Sequence, residues 1–253
     1  MRTLNYAHRG ASYYAPENTL SAFRLARDMG ADAIELDVQL SHNGTVMVIH
    51  DSTVDRTTDG SGAVADLALA ELKELDAGSW FPSAFAGEHI PTLVEVFETV
   101  GQDLLLNLEL KMRGSEPAGL EEAVSSLIAH YGMDDQVLIS SFSPLALQRV
   151  RRSHPHLPLA LLYGAYLSEV KLARWVQDLD PLAALHPEHH LLDESHLSWA
   201  REHGCRINTW TVDEPEEMQR LLDLGVDGII TDRPDLLRDI LGGKGPAGAS
   251  EGG

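Results

Sequence analysis

Along this chain, apolar and β-branched segments alternate with segments whose apolar positions recur at helical spacing. Strands are expected at 5–9 (NYAHR), 33–41 (AIELDVQLS), 46–50 (VMVIH), 104–110 (LLLNLEL), 136–142 (QVLISSF), 158–163 (PLALLY), 183–186 (AALH), 206–212 (RINTWTV) and 228–232 (GIITD). Helices are expected at 17–29, 92–100, 120–131, 144–152, 168–177, 195–203, 215–224 and 234–241. Start signals mark three of these: Pro16 and Glu17, Ser143 with Pro144, and Asp213-Glu214-Pro215. Strict alternation of strand and helix argues for a parallel sheet with helical crossovers.

Nine strands are one more than a TIM (β/α)8 barrel uses. The stretch 33–51, AIELDVQLSHNGTVMVIHD, accounts for the extra one. Asn43-Gly44 is a strong hairpin signal. A two-residue loop would pair 42 with 45, so that partners sum to 87 and Asp37 faces His50. Segment 46–50 is then the return arm of a hairpin, and eight strands remain for the barrel. Residues 52–91 interrupt the alternation with TTDGSG, a short helix-like run and SWFPSAFAGEHIP. They are expected to form an inserted subdomain after the second strand, within one domain spanning 1–241. The Gly-rich tail 242–253 is expected to be disordered.

Composition adds few surprises. At 253 residues, 43% hydrophobic and 23% charged, the chain has the make-up of a globular protein with a large core. The single cysteine, Cys205, leaves no internal disulfide framework. Apolar runs stay well short of the roughly 18 residues of a membrane span. The opening MRTLNYAHRG lacks a signal peptide's apolar stretch, so a cytoplasmic location is expected. A formal net charge of −20 disfavours nucleic acid and anionic membrane surfaces as partners. An anionic small-molecule substrate would therefore need a local cluster of cations. The oligomeric state is left open.

Side chains alternate faces along a strand, so Glu35 and Asp37 share one. The hairpin register adds His50 to that face. Adjacent carboxylates repel. Two readings fit: a solvated strand face, or a hard divalent cation, Mg2+ or Ca2+, held by oxygen ligands. The apolar neighbours Ile34, Leu36 and Val38 favour the second, as does the position at the C-terminal end of a barrel strand. Asn107, Glu109 and Lys111 end another strand on one face, with Glu109 as a third candidate ligand. Arg9 and Lys111 suit an anion such as a phosphate. His8 and His50, at two strand ends beside acids and cations, are candidates for acid–base work near neutral pH. Glu17 and Asn18 follow the first strand and could reach the site. Asp51 could orient His50 or cap a turn. Phe142, His186 and Trp210 fall at later strand ends and could line the same site.

In this order, the motifs His8-Arg9-Gly10, Pro16-Glu17-Asn18-Thr19, Glu35-Leu36-Asp37, His50-Asp51 and Asn107-Leu108-Glu109-Leu110-Lys111 resemble the glycerophosphodiester phosphodiesterase family. NTWTV around Trp210 and GIITDRP near the C-terminus extend the likeness over nearly the whole chain. The resemblance implies a TIM barrel with an insertion after the second strand. It implies hydrolysis of glycerophosphodiesters, such as glycerophosphocholine or glycerophosphoethanolamine, to glycerol 3-phosphate and an alcohol. It also implies a divalent cation on Glu35, Asp37 and Glu109, with His8 and His50 as acid and base. Arg9 and Lys111 are expected to bind the phosphoryl oxygens, and Glu17, Phe142 and Trp210 other parts of the substrate.

Which histidine is the acid, and whether water or the substrate's own 2-hydroxyl attacks, is open at the level of sequence. A phosphodiesterase acting on lysophospholipids or phosphoinositides would share the architecture. It would need an apolar groove, for which Trp80, Phe81 and Phe85 in the insertion are candidates. A non-catalytic phosphate-binding barrel would be expected to lack the two histidines.

Overall fold

Eight parallel strands close into a barrel. They are β1 (Leu4–His8), β2 (Ala33–Leu40), β4 (Leu105–Leu110), β5 (Val137–Ser141), β6 (Leu159–Tyr163), β7 (Ala184–Pro187), β8 (Arg206–Thr209) and β9 (Gly228–Thr231). Closure comes from β1, which pairs with both β2 and β9. The computed structural model describes residues 2–112 and 119–243, so most of the Gly-rich tail lies outside the described residues. Among the described residues, no helix is long and apolar enough to cross a membrane.

Both faces of a barrel strand are covered, and the sequence shows it. Outward residues Ile34, Leu36, Leu106 and Leu108 join the main core with helix residues such as Phe23, Val96 and Phe97. Inward residues form two smaller plugs, Tyr6 with Ala33 and Ile230, and Leu138 with Ala160 and Ala184. The plugs fill the barrel below its C-terminal end, leaving that end for polar side chains.

The outer helices are α1 (Leu20–Asp28), α3 (Leu93–Val100), α4 (Leu120–Tyr131), α5 (Pro144–Ser153), α6 (Glu169–Asp178), α7 (Glu194–Glu202), α8 (Pro215–Leu224) and α9 (Pro234–Leu241). Their ends follow local chemistry. Thr92 and Glu95 form a reciprocal capping box, Ser143 caps α5 ahead of Pro144, and Gly132 and Gly225 end α4 and α8 at positive φ. Helix α1 begins three residues later than the pattern suggested. Thr19, not the segment at Glu17, is its N-cap, and Asn18 just before it sits at φ 57°. Pro16 to Asn18 are thus a turn that folds over the barrel mouth.

The hairpin exists, but its register differs from the expected one. Strand β3 (Val46–Val48) pairs antiparallel with β2 as Val38 with Val48, Gln39 with Met47 and Leu40 with Val46. The loop has three residues, 42–44: the Ser41 and Gly44 amides bond the Thr45 and Ser41 carbonyls, and Gly44 takes φ 81°. This is the three-residue hairpin that places glycine in the left-handed region. Asp37 therefore aligns with Ile49, whose amide bonds its carbonyl at 2.9 Å, and His50 is not its cross-strand partner. A shift of one residue reverses which side chains share a face.

Between β3 and α3, residues 52–91 hold only short helical pieces, including α2 (Leu69–Glu74). They carry a small apolar cluster of their own, in which Val54, Val64, Leu72, Ala77 and Ile90 pack on Met47 and Ile49 of the hairpin arm.

Candidate active site

Strand register assembles the polar cluster. His8 on β1 lies beside Glu35 on β2, which lies beside Asn107 on β4; one step up, Asp37 lies beside Glu109. Registered partners in parallel strands face the same way, here into the barrel mouth. Glu35, Asp37 and Glu109 are all buried, and each offers a carboxylate oxygen within 4.8 Å of the others'. That set can hold a metal ion. Oxygen-only donors of this kind match a hard divalent cation.

Two cations converge on the same carboxylates. Lys111 Nζ lies 2.6 Å from Glu109 and 3.0 Å from Asp37, and Arg9 Nε lies 3.3 Å from Asp37. Their charges prevail over burial at Asp37 and keep its carboxyl well below the ordinary range. Glu35 is different. Burial, reinforced by Asp37, drives its carboxyl up despite His8 and Arg9. Full ionisation of the three carboxylates is thus disfavoured with only Arg9 and Lys111 beside them, and a divalent cation would offset that repulsion. Asn107 adds an amide oxygen beside these carboxylates. It is fully buried beside Glu35, and neither side-chain polar atom has a partner among the described residues.

Both histidines reach the site, by different routes. His8 ends β1, with Nδ1 2.6 Å from Asp232 and Nε2 3.9 Å from Glu35. Burial alone would depress its basicity, but the Asp232 bond and Glu35 outweigh that and raise it. His50 arrives after the chain leaves the β3 ladder. The bend is held by the buried Gln39, whose amide nitrogen lies 2.9, 3.0 and 2.7 Å from the carbonyls of Ile49, His50 and Asp51. The His50 Nδ1 lies 2.6 Å from Asp51. Burial lowers its basicity and Lys111 and Arg9 lower it further, against Asp37 and Asp51.

A pocket of about 180 Å3 opens over these groups. His8, Arg9, Glu35, His50, Glu109 and Lys111 line one part of it. Phe142 and Trp210 line another, packed edge to face at 5.6 Å, with Leu162 and Ile230. Glu17 does not line the pocket. Its carboxylate lies behind Arg9, accepting from Arg9 and from Arg56 at 2.8 Å each. Trp80, Phe81 and Phe85 stack on one another edge to face and are absent from the lining. His186 sits fully buried under Trp210, whose indole N–H donates to its carbonyl at 2.8 Å.

The loop after β1 is shaped for this task. Arg9 and Asn18 both adopt positive φ, 56° and 57°, although neither is glycine. Asn18 donates to Asp37 at 2.8 Å. Gly10 lets the loop lie against α1, since a Cβ there would meet the Ala22 backbone at 2.7 Å.

Over residues 8–236 the chain matches the glycerophosphoryl diester phosphodiesterase family. It belongs to that family. It is 45% identical over 243 residues to the glycerophosphodiester phosphodiesterase of Caldanaerobacter subterraneus subsp. tengcongensis, covering 95% of this chain and 98% of the relative. Among solved structures it resembles an Oleispira antarctica phosphodiesterase in complex with the product sn-glycerol-3-phosphate. There the TM-score is 0.83 at 33% identity, covering 94% of this chain and 96% of that one. A glycerophosphodiester phosphodiesterase from Agrobacterium tumefaciens str. C58 gives 0.80 at 30%, covering 94% and 99%. The chain is thus a phosphodiesterase of the glycerophosphodiester class, and its polar barrel mouth is where that chemistry belongs.

Sequence reasoning had no role for four residues that support this site. Asp232 was visible only as part of GIITDRP, and Gln39 as one more polar residue of a strand. Arg56 lies in a segment without strand or helix periodicity, and Asn107 is legible as a face-mate of Glu109 and a motif residue but not as a buried side chain without a partner.

Proposed function

We propose that this phosphodiesterase hydrolyses glycerophosphodiesters such as glycerophosphocholine or glycerophosphoethanolamine. The products are glycerol 3-phosphate and the alcohol. Glu35, Asp37 and Glu109 would hold one Mg2+ or Ca2+. The observation that carries this reading is the cluster of three buried carboxylates, flanked by two imidazoles whose Nδ1 atoms are each tied to another carboxylate. The sn-glycerol-3-phosphate bound by the Oleispira antarctica relative supports the product.

Glu35, Asp37 and Glu109 would hold a divalent cation, which would supply Lewis acidity toward the phosphoryl group and toward an oxygen nucleophile. The chain's own groups do the rest. Arg9 and Lys111 offset charge that builds on the phosphoryl oxygens in the transition state. Their places are kept by Glu17, Asp37 and Glu109, so little reorganisation is needed as the reaction proceeds. His8 and His50 have their Nδ1 atoms engaged, which leaves each Nε2 to exchange a proton with the substrate. One takes the proton from the attacking oxygen; the other returns a proton to the departing alcohol oxygen. Phe142 and Trp210 form an apolar wall for the carbon skeleton of the glycerol or the alcohol. Glu17 acts on substrate through Arg9.

The test is glycerol 3-phosphate release from glycerophosphocholine by metal-stripped enzyme, with Mg2+ or Ca2+ added back. Release that returns with one of the two ions is expected, and the more effective ion names the metal. Full activity after stripping would defeat the metal reading. A folded, metal-loaded protein that releases nothing from glycerophosphocholine or glycerophosphoethanolamine would defeat the substrate reading.

A further inference from the structure

Arg56 lies in the insertion, between the buried Val54 and the Thr58 hydroxyl that donates to the Val54 carbonyl at 2.8 Å. Its guanidinium is gripped by two carboxylates. Nη1 and Nη2 donate to the two oxygens of Glu17, both at 2.8 Å. Nε donates to Asp51 Oδ2 at 2.6 Å and Nη2 to Asp51 Oδ1 at 3.2 Å. Each carboxylate shares one oxygen with a group of the pocket: Asp51 Oδ1 with His50 Nδ1 at 2.6 Å, and Glu17 Oε1 with Arg9 Nη1 at 2.8 Å. A continuous chain of charge-assisted contacts therefore runs His50, Asp51, Arg56, Glu17, Arg9, Asp37.

An exposed ion pair is ordinarily a minor feature. This one differs in geometry. The planar guanidinium meets both partners in two-point fashion, which an ammonium cannot reproduce. Its partners are also the groups that orient an imidazole and a guanidinium lining the pocket.

We propose that Arg56 is a positioning residue of the hydrolysis: by bridging Asp51 and Glu17 it fixes the His50 imidazole and the Arg9 guanidinium, making the insertion a working part of the active site. Arg56 acts through its two carboxylates and does not itself line the pocket. The inference rests on the reaction proposed above.

The decisive experiment is steady-state hydrolysis of glycerophosphocholine by metal-loaded wild type, Arg56→Ala, Arg56→Lys, Asp51→Asn and the Arg56→Ala/Asp51→Asn double variant. Misplacing a reacting group by about 1 Å costs on the order of 10²-fold, so kcat of Arg56→Ala should fall between about 10-fold and 100-fold, with the larger change in kcat rather than KM. Arg56→Lys should recover only part of the loss. The Arg56 side chain is 45% exposed, so added guanidinium ion should restore part of the activity of Arg56→Ala. The double variant should be little worse than Asp51→Asn, because both changes cut the same chain of contacts. Wild-type kcat in Arg56→Ala, or losses that simply multiply in the double variant, would overturn the proposal. So would a folded Arg56→Ala that is inactive and unresponsive to guanidinium. If Arg56→Ala does not fold, the Lys variant carries the test: full activity there overturns it. An inactive wild type would count instead against the reaction itself.

Discussion

His8 and His50 present the same unit, an imidazole with Nδ1 2.6 Å from a carboxylate, yet they are built at different levels of the fold. Asp232 reaches His8 from the other end of the chain, because β9 pairs with β1 and closes the ring. Ser12 donates to the same carboxylate at 2.9 Å. The unit is set into the barrel wall. Asp51, by contrast, is the next residue after His50, and what fixes the pair is a bend tied by Gln39 and a clamp supplied by the insertion. The two units differ in basicity as well. The Asp232 bond lifts His8 despite burial, whereas burial and nearby cations depress His50. That difference in direction is compatible with the acid–base pairing proposed above. The barrel wall supplies one unit, and a bend after β3, braced by Arg56 from the 52–91 segment, supplies the other.

The largest effect expected is from removing either ring. His8→Ala and His50→Ala should each lower kcat by about 10²–10⁴-fold with the barrel still folded, as shown by circular dichroism beside the assay. Wild-type turnover in either variant would remove that histidine from the mechanism. The next effect separates the two units. Asp232→Asn keeps an acceptor on His8 but removes the charge, and should cost on the order of 10²-fold in kcat while leaving the insertion's clamp intact. An Asp232→Asn enzyme as fast as wild type would mean that the strand alone orients His8. The smallest effect is on stability in acid. The Arg56 bonds, with His50, hold the Asp51 carboxyl down to about 2 from an ordinary 3.8. A depressed pKa contributes stability that is in place above about pH 4 and fades as the pH falls toward 2. Wild type should therefore lose stability over that window more steeply than Arg56→Ala, and denaturant titrations at pH 4 and below would show it. Parallel curves for the two proteins would mean that the clamp is absent in solution.

Much of this was legible in the sequence because the signals are local. Period-two alternation put Glu35 with Asp37 and Asn107 with Glu109, and a strand needs no distant information to do that. The helices from α3 onward lie within a residue or two of where their patterns and caps placed them. The hairpin was legible in kind but not in register. Asn-Gly marks the turn, while the choice between a two-residue and a three-residue loop depends on how β2 and β3 pack against the rest of the molecule. Expecting His50 opposite Asp37 led to the right cluster by a route the structure does not take.

The chain by itself determined the barrel, the three carboxylates and His8, since each follows from periodicity and from residue types at strand ends; His50 was legible as a residue type but not in its placement. Tertiary structure alone decided which groups hold them. Asp232 meets His8 across 224 positions, and Glu17 meets Arg56 across 39. Gln39 reaches three carbonyls of a bend that no pattern announces. Such contacts depend on where closure of the ring and docking of the insertion bring distant segments, and side-chain hydrogen bonds carry no periodicity by which a sequence could reveal them.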